Sequence, residues 1–307
     1  MSPVARGSGL RAAIMIAGGL VACSAKAKAP KREFDGSRAF GYLEQQMRFG
    51  PRIPGTLAHE QAGDWILAQL RSRADTVIVQ EITHRTKSGE VLHLRNFFAR
   101  FQPARPDRVL YLAHWDTRPH ADQSANLAAQ QQPVPGADDG ASGVAVLLGV
   151  ADALKARPAA LGVDLLFVDG EDYGNFADSS DVLIGSRYFA ANLPSDYPPL
   201  FAVLFDMVGD KDLQIYAEGN SQAEAPEVVD RVWRTARALG YGDIFVPQVR
   251  HTLIDDHVSL QRVGIHAVDV VDFDYPYWHT TEDTLDKVSA ASLQVVGDVA
   301  LGVVREE

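Results

Sequence analysis

Six side chains, His114, Asp139, Glu171, Asp172, Asp206 and His279, stand where apolar runs or a glycine-rich turn end. Two imidazoles and several carboxylates without a thiolate are the ligand set of a catalytic zinc or a similar borderline cation, not of a thiolate-rich structural site. Glu171 and Asp172 are adjacent. At the lip of a core two such charges raise each other's pKa unless a cation or a shared proton relieves them. Taken singly, each residue has an ordinary explanation: Asp169-Gly170-Glu171-Asp172 is common turn composition, a lone His at a strand end packs, and a lone Asp caps a helix. As a set delivered to one sheet they point to a site. Asp116 lies two residues beyond His114, on the same face of an extended backbone. It could orient the imidazole from an outer shell or simply form a turn.

These residues need strands to position them. Apolar runs at 108–113, 163–168, 200–205 and 267–271 read as strands, the first three feeding directly into His114, Asp169 to Asp172, and Asp206, and the last leading on to His279. Runs at 77–82 and 92–101 read as an antiparallel pair around Lys87-Ser88-Gly89. Helical spacing is found over 37–49, in the segment that Thr56 would cap, and over 144–154, 186–192, 226–239 and 290–304. The stretch 117–135 reads as a long loop, and 210–224 as a polar segment. Alternating strands and helices predict one α/β sandwich with a largely parallel central sheet, whose ligands bind at the C-terminal strand ends.

The chain has 307 residues, 46% of them hydrophobic and 22% charged, enough for one large core or two modest ones. A net charge of −11 argues against sequence-independent nucleic-acid binding, which needs a cationic face to displace counterions. Arg6 and Arg11 precede an apolar run at 12–22, too short to span a bilayer but suited to a secretory signal. The run ends at Cys23, the only cysteine, so no intramolecular disulfide can form. Leu20-Val21-Ala22-Cys23 resembles a bacterial lipobox, although a plain signal peptide with a chance Cys gives the same pattern. That resemblance implies a signal peptide at 1–22 and lipidation of Cys23; the polar residues that follow read as a tether, giving a lipidated Cys and tether over 23–34, and no Gly/Pro-rich linker divides 35–307, which reads as a single domain. The product would be exported and lipid-anchored to the bacterial envelope, facing the periplasm or the exterior.

His114-Trp115-Asp116, Gly136-Ala137-Asp138-Asp139-Gly140-Ala141-Ser142-Gly143, Asp169-Gly170-Glu171-Asp172, Gly185-Ser186-Arg187, Asp206-Met207-Val208-Gly209 and the late His279 together resemble the ordered motifs of the zinc aminopeptidase family, peptidase family M-28, to which the glutaminyl cyclases are related. The resemblance implies an α/β fold, a three-layer α/β/α sandwich with a mixed, largely parallel central sheet, in which Asp139, Asp172 and His279 bind one zinc. Aminopeptidase members add His114 and Asp206 around a second zinc bridged by Asp139, with Glu171 as acid/base. Ile254-Asp255-Asp256-His257 and Tyr277-Trp278-His279-Thr280 are further similar to the animal-type glutaminyl cyclases. In those, the residue matching Asp255 joins an acidic network with those matching Glu171 and Asp206, and the tryptophan lines the substrate pocket. Asp255-Asp256 would equally serve as a helix N-cap, and Trp278 as core. Animal cyclases carry a Glu in place of Asp172, a His in place of Asp269, and a disulfide that this chain lacks. The Asp269 difference is expected to change the pocket's charge.

Three functions follow as expectations. A cyclase would convert the N-terminal Gln of peptides to pyroglutamate with one zinc and release ammonia. A di-zinc aminopeptidase would hold two metals about 3.5–4 Å apart and remove N-terminal residues. A surface-anchored binding protein would need neither Glu171 nor the full ligand set. The substrates are peptides with a free N-terminus, and membrane contact is expected only through the lipid anchor. The other histidines, His59, His84, His93, His120, His251, His257 and His266, lack a comparable setting and are assigned no role.

Overall fold

A computed structural model describes residues 1–3, 32–194, 197 and 199–305. The expected signal peptide beyond its first three residues, Cys23 and most of the tether lie outside the described residues. In chain order the elements are α1 Gly36–Phe49, α2 Leu57–Arg71, β1 Thr76–Arg85, β2 Val91–Phe101, β3 Arg108–His114, α3 Ala141–Ala156, β4 Gly162–Val168 and α4 Ile184–Ala191. Then follow β5 Phe201–Asp206, β6 Ile215–Glu218, α5 Gly219–Glu224, α6 Pro226–Ala238, β7 Phe245–His251, α7 Asp256–Gln261, β8 Ala267–Val271 and α8 Ala290–Arg305.

The central sheet runs β1-β2-β4-β3-β5-β8. The β1–β2 hairpin pairs antiparallel to β4, and β4, β3, β5 and β8 are mutually parallel neighbours. Alternate residues of β3 enter different cores: Val109, Tyr111 and Ala113 belong to the one under α1, α3 and α8, Leu110 and Leu112 to the one under α4 and α7. A strand buried on both faces has no polar side to show, which is why its sequence is a continuous apolar run. The three-layer α/β/α arrangement with a mixed, largely parallel sheet is therefore present. Its parallel strands all finish at one lip, where His114 and Asp206 are terminal residues.

Local chemistry sets the helix starts. The Asp35 carboxylate accepts the Arg38 N–H at the start of α1, and the Thr56 hydroxyl accepts the His59 N–H at the start of α2. α3 carries apolar or small residues on nearly every side and is buried along almost its whole length, as expected of a helix enclosed by a sheet and two other helices.

The structure departs from the sequence reading in two places. The polar segment 210–224 contains β6 and α5, and β6 pairs in parallel with β7 in a small second sheet. Their signals are weak because β6 has four residues and β7 carries Pro247 and is largely exposed. The tether also ends earlier than expected, because Phe34 is 3% exposed and part of the core. Its ring sits where Cβ atoms on Gly149 and Gly297 would come within 2.5 and 2.4 Å, so those two positions have room only for glycine. Phe34→Ala empties a slot that two helices have been shaped around. It should cost about 3 kcal/mol, read as a lowered urea midpoint at unchanged m-value. An unchanged midpoint would mean that Phe34 is not part of the fold.

Candidate metal centre and active site

β3, β4 and β5 deliver His114, the 169–172 turn and Asp206 to the same lip, Asp139 precedes α3, and His279 arrives on the segment after β8. All are buried: His114 1%, Asp139 3%, Asp172 1%, Asp206 7%, His279 4% exposed. Two sets of donor atoms converge, each within 4.8 Å: Asp139, Asp172 and His279 in one, His114, Asp139 and Asp206 in the other. In the first, His279 Nε2 lies 3.3 Å from Asp172 Oδ1 and 3.6 Å from Asp139 Oδ2. In the second, His114 Nε2 lies 3.0 Å from Asp139 Oδ1 and 3.1 Å from Asp206 Oδ1.

The electrostatics explain why a cation fits. Burial works against a charged His279, yet Asp172, Asp122 and Asp139 overcome it and lift its pKa from 6.5 to about 9. His114 is raised in the same way, with burial again opposed, by Asp206, Asp116 and Asp139. A field that draws a proton onto these imidazoles draws a metal cation equally well. Asp172 Oδ2 is buried with no hydrogen-bond partner, a free lone pair in a nitrogen and oxygen donor set of the type a borderline divalent ion takes. Nδ1 of His279 faces Asp122 Oδ1 at 3.4 Å, the outer carboxylate that fixes which ring nitrogen is left to bind.

Backbone gripping holds the set in place. Asp116, wholly buried, accepts the N–H groups of Glu171 (3.0 Å) and Asp172 (3.2 Å), while its Oδ1 stands 3.6 Å from His114 Nδ1. Asp116 thus closes the 169–172 turn from beneath and stands near the His114 imidazole. Asp283 does the same for the other motif, accepting the N–H groups of Asp138 (2.8 Å) and Asp139 (3.2 Å) and the Tyr275 hydroxyl. Arg52, fully buried, donates to the carbonyls of Trp115, Pro135 and Gly136 and so ties the two motifs together. Arg118 binds Asp172 Oδ1 and Asp122 Oδ2, each at 2.7 Å.

Glu171 stands beside the metal-binding set, 5% exposed, with Oε2 3.7 Å from His114 Nδ1. Burial first, then Asp172 and Asp255 against the opposing charge of His114, push its pKa well above the ordinary carboxylate value. Burial, Asp206 and Asp256 raise Asp255 likewise. Asp255 is the N-cap of α7 and also lines the cavity. Trp278 likewise packs beside Met207, Val271 and Tyr275 and walls the cavity, its ring stacked on His279 at 4.0 Å. That cavity, of about 420 Å³, joins the acidic cluster to an apolar side made by Phe176, Leu253, Ile254 and Phe273.

Two expectations need correction. Asp269 does not alter the pocket's charge by facing it, because it is fully buried in β8 with Oδ2 3.8 Å from His257 Nδ1, and the cavity lining excludes it. Nor are the remaining histidines all without a setting. His59 is 2% exposed, bonded to Asp169 at 2.8 Å and stacked on Trp115, and His257 is wholly buried 3.2 Å from Glu218. Arg52, Arg118, Asp122, Asp283 and Glu218 were not found from sequence. Arg118 and Asp122 lie in the loop after Asp116, and no spacing marks which of its polar residues turn inward.

Residues 96–304 match Peptidase family M28, and the chain belongs to that family. Among solved structures, it is similar to a Zn-dependent exopeptidase from Parabacteroides distasonis, with a TM-score of 0.86 and 32% identity over 89% of this chain and 99% of that one. It is similar also to the glutaminyl cyclase of Porphyromonas gingivalis, with a TM-score of 0.85 and 37% identity over 89% of this chain and 98% of that one. Aminopeptidase YwaD of Bacillus subtilis is 26% identical over 66% of this chain, which spans only 41% of that protein's length.

Glu218 supports the pocket wall from behind, accepting the N–H groups of Asn220, Ser221 and Leu253. Burial would raise its pKa, but His257 and Ser221 outweigh it and bring Glu218 from 4.5 down to about 2. A carboxyl whose pKa is lower in the folded chain stabilises fully above the unfolded value and loses that contribution as pH falls through the folded one. Between pH 4.5 and 2 the urea midpoint should therefore fall. Glu218→Gln should flatten that limb and remove about 2 kcal/mol at pH 7. An equally steep acid limb in the variant would rule out this role.

Proposed function

We infer that this chain is a zinc-dependent glutaminyl-peptide cyclotransferase that closes the N-terminal Gln of peptides to pyroglutamate. The observation that carries the reading is the convergence of Asp139, Asp172 and His279 within 4.8 Å beside the buried carboxylate of Glu171, at a cavity walled by Trp278. Likeness to glutaminyl cyclases along nearly the whole of both chains supports it. Asp139, Asp172 and His279 would hold one zinc, which when bound supplies Lewis-acid polarisation of a carbonyl. The α-amine of the substrate attacks its own γ-carbonyl carbon, forming the ring C–N bond, and the bond to the side-chain nitrogen breaks. Glu171 takes the proton shed by the amine and gives it to that nitrogen, which leaves as ammonia. Asp206 and Asp255 complete the acidic network around Glu171, and the flat face of Trp278 suits a five-membered ring. The second donor set, His114, Asp139 and Asp206, favours a second reading, a di-zinc aminopeptidase with Glu171 as general base. Export and lipid anchoring through Cys23 belong to the same proposal on the strength of the sequence between Arg6 and Cys23.

Elemental analysis of the purified domain, beside assays for ammonia from Gln-peptides and for free amino acid from unblocked peptides, separates these readings. One zinc with ammonia release is expected. Two zincs with released amino acids would replace the cyclase by the peptidase, and neither product would end both.

Variants divide the roles. Glu171→Gln should lower kcat by about 10²-fold or more at nearly unchanged zinc content, because the residue moves protons and does not bind the metal. Asp172→Ala and His279→Ala should emerge from dialysis without zinc. A fully loaded His279→Ala protein would mean that the ligand set is wrong.

A further inference from the structure

The loop 173–182 leaves the catalytic acids at Asp172 and returns at Leu183, whose N–H donates to the Glu171 carbonyl at 2.9 Å. Asn175 and Ser180 close it with a pair of backbone hydrogen bonds of 2.8 and 3.1 Å. Gly174 packs so closely inside that a Cβ there would stand 2.0 Å from the Ser180 carbonyl oxygen. Ser179, Asp181 and Leu183 have φ of 55°, 57° and 54°. Side chains with a Cβ occupy that left-handed region only when neighbouring structure holds them there. Asn175, Phe176 and Ala177 line the active-site cavity, and the Phe176 ring faces the guanidinium of Arg118 at 6.0 Å, the same arginine that binds Asp172.

What holds the loop from outside is the β1–β2 hairpin, which contributes no residue to that cavity. Asp181 Oδ1 pairs with His84 Nε2 at 2.7 Å, and Asp181 Oδ2 accepts the Lys87 N–H at 2.9 Å. The Tyr173 hydroxyl donates to Glu90 at 2.9 Å. Lys87 also meets Asp178, but both side chains are exposed (69% and 43%), and water and salt weaken such a pair. The His84–Asp181 pair is better sheltered, at 30% and 14% exposed.

We propose that Asp181 and His84 are positioning residues through which the β1–β2 hairpin holds residues 175–177 in their place on the cavity wall, so that peptide affinity is set by an element that touches no substrate. The proposal rests on the reading of the cavity as a peptide-binding active site. Two readouts keep the two claims separate. Hydrogen exchange of the zinc-loaded protein needs no substrate: amides of 174–182 should exchange at least about tenfold faster in Asp181→Ala than in wild type, with β3 and β4 unchanged. Equal exchange overturns the proposal whether or not the wild type is an enzyme. In steady-state kinetics with the peptide the wild type accepts, KM should rise about fivefold or more in Asp181→Ala while kcat stays within about twofold and zinc content is equal. Faster exchange with an unchanged KM also overturns it, since the loop would be free without consequence for binding. His84→Ala combined with Asp181→Ala should be no worse than Asp181→Ala alone, because Asp181→Ala already removes the pair that His84 makes. Additive effects would show that His84 acts elsewhere. If wild type turns over neither peptide, the functional reading fails and the exchange comparison still decides whether the hairpin holds the loop.

Discussion

Carboxylates gathered at the lip of a buried sheet repel one another, and relieving that repulsion governs everything near the site. Asp116, Asp139, Glu171, Asp172, Asp206 and Asp255 are all buried there. Part of the relief is a raised affinity for protons at Glu171 and Asp255, whose pKa values burial and like charges push up. Some comes from imidazoles and arginines, with Arg118 against Asp172 and His114 between Asp139 and Asp206. What protons and side-chain cations leave over is attraction for a metal, and the residue with an unpartnered buried oxygen, Asp172, belongs to the first donor set.

A set so self-repelling would splay apart without a rigid mount, and the mount is the backbone. Asp116 and Asp283 each take two consecutive N–H groups, one pair from Glu171-Asp172 and the other from Asp138-Asp139. An N–H pair offers partial positive charge to a carboxylate without adding a titrating group, so each grip fixes a peptide and stabilises the gripping anion together. Arg52 locks the loops beneath by binding three of their carbonyls. Full burial lowers its pKa to about 10, still far enough above neutrality to keep it charged. Ligand geometry is thus set by residues that touch neither metal nor substrate, as metal sites require of their surroundings.

This division explains what could be read from the sequence. The candidate metal ligands sit at or just beyond strand ends, and strands buried on both faces announce themselves as apolar runs, so the positions of His114, Asp172 and Asp206 relative to the sheet were legible. Supporting groups carry no such marker. Arg118 and Asp122 lie in a Gln-, Ala- and Pro-rich loop, and Asp283 lies in a turn after His279. Each is recognisable only once the chain has brought Asp172 or Asp139 beside it. His257 fails for a different reason: its setting is made by Glu218 on β6 and Asp269 on β8, and β6 is a four-residue strand with almost no signal of its own. Asp269, the central residue of β8, is enclosed behind the pocket and acts on Asp255 and Asp206 there through charge and not from the pocket's surface.

The distribution of the ligands along the chain has an energetic consequence. Asp139, Asp172 and His279 belong to three separate stretches, and in an unfolded chain they are solvated and far apart. A cation that needs all three therefore binds the folded chain and not the unfolded one, and its binding free energy adds to the stability of the fold. The repulsion among these groups acts in the opposite sense, since it arises only when folding brings them together. Asp116, Asp283, Arg52 and Arg118 keep that repulsion from spreading the lip. They are needed to make the donor set, and the donor set is needed to offset what gathering it costs. Losing one of these supports should therefore act on stability and on metal affinity together, whereas Glu171 belongs to neither donor set and grips no backbone with its side chain, so the site remains built without it.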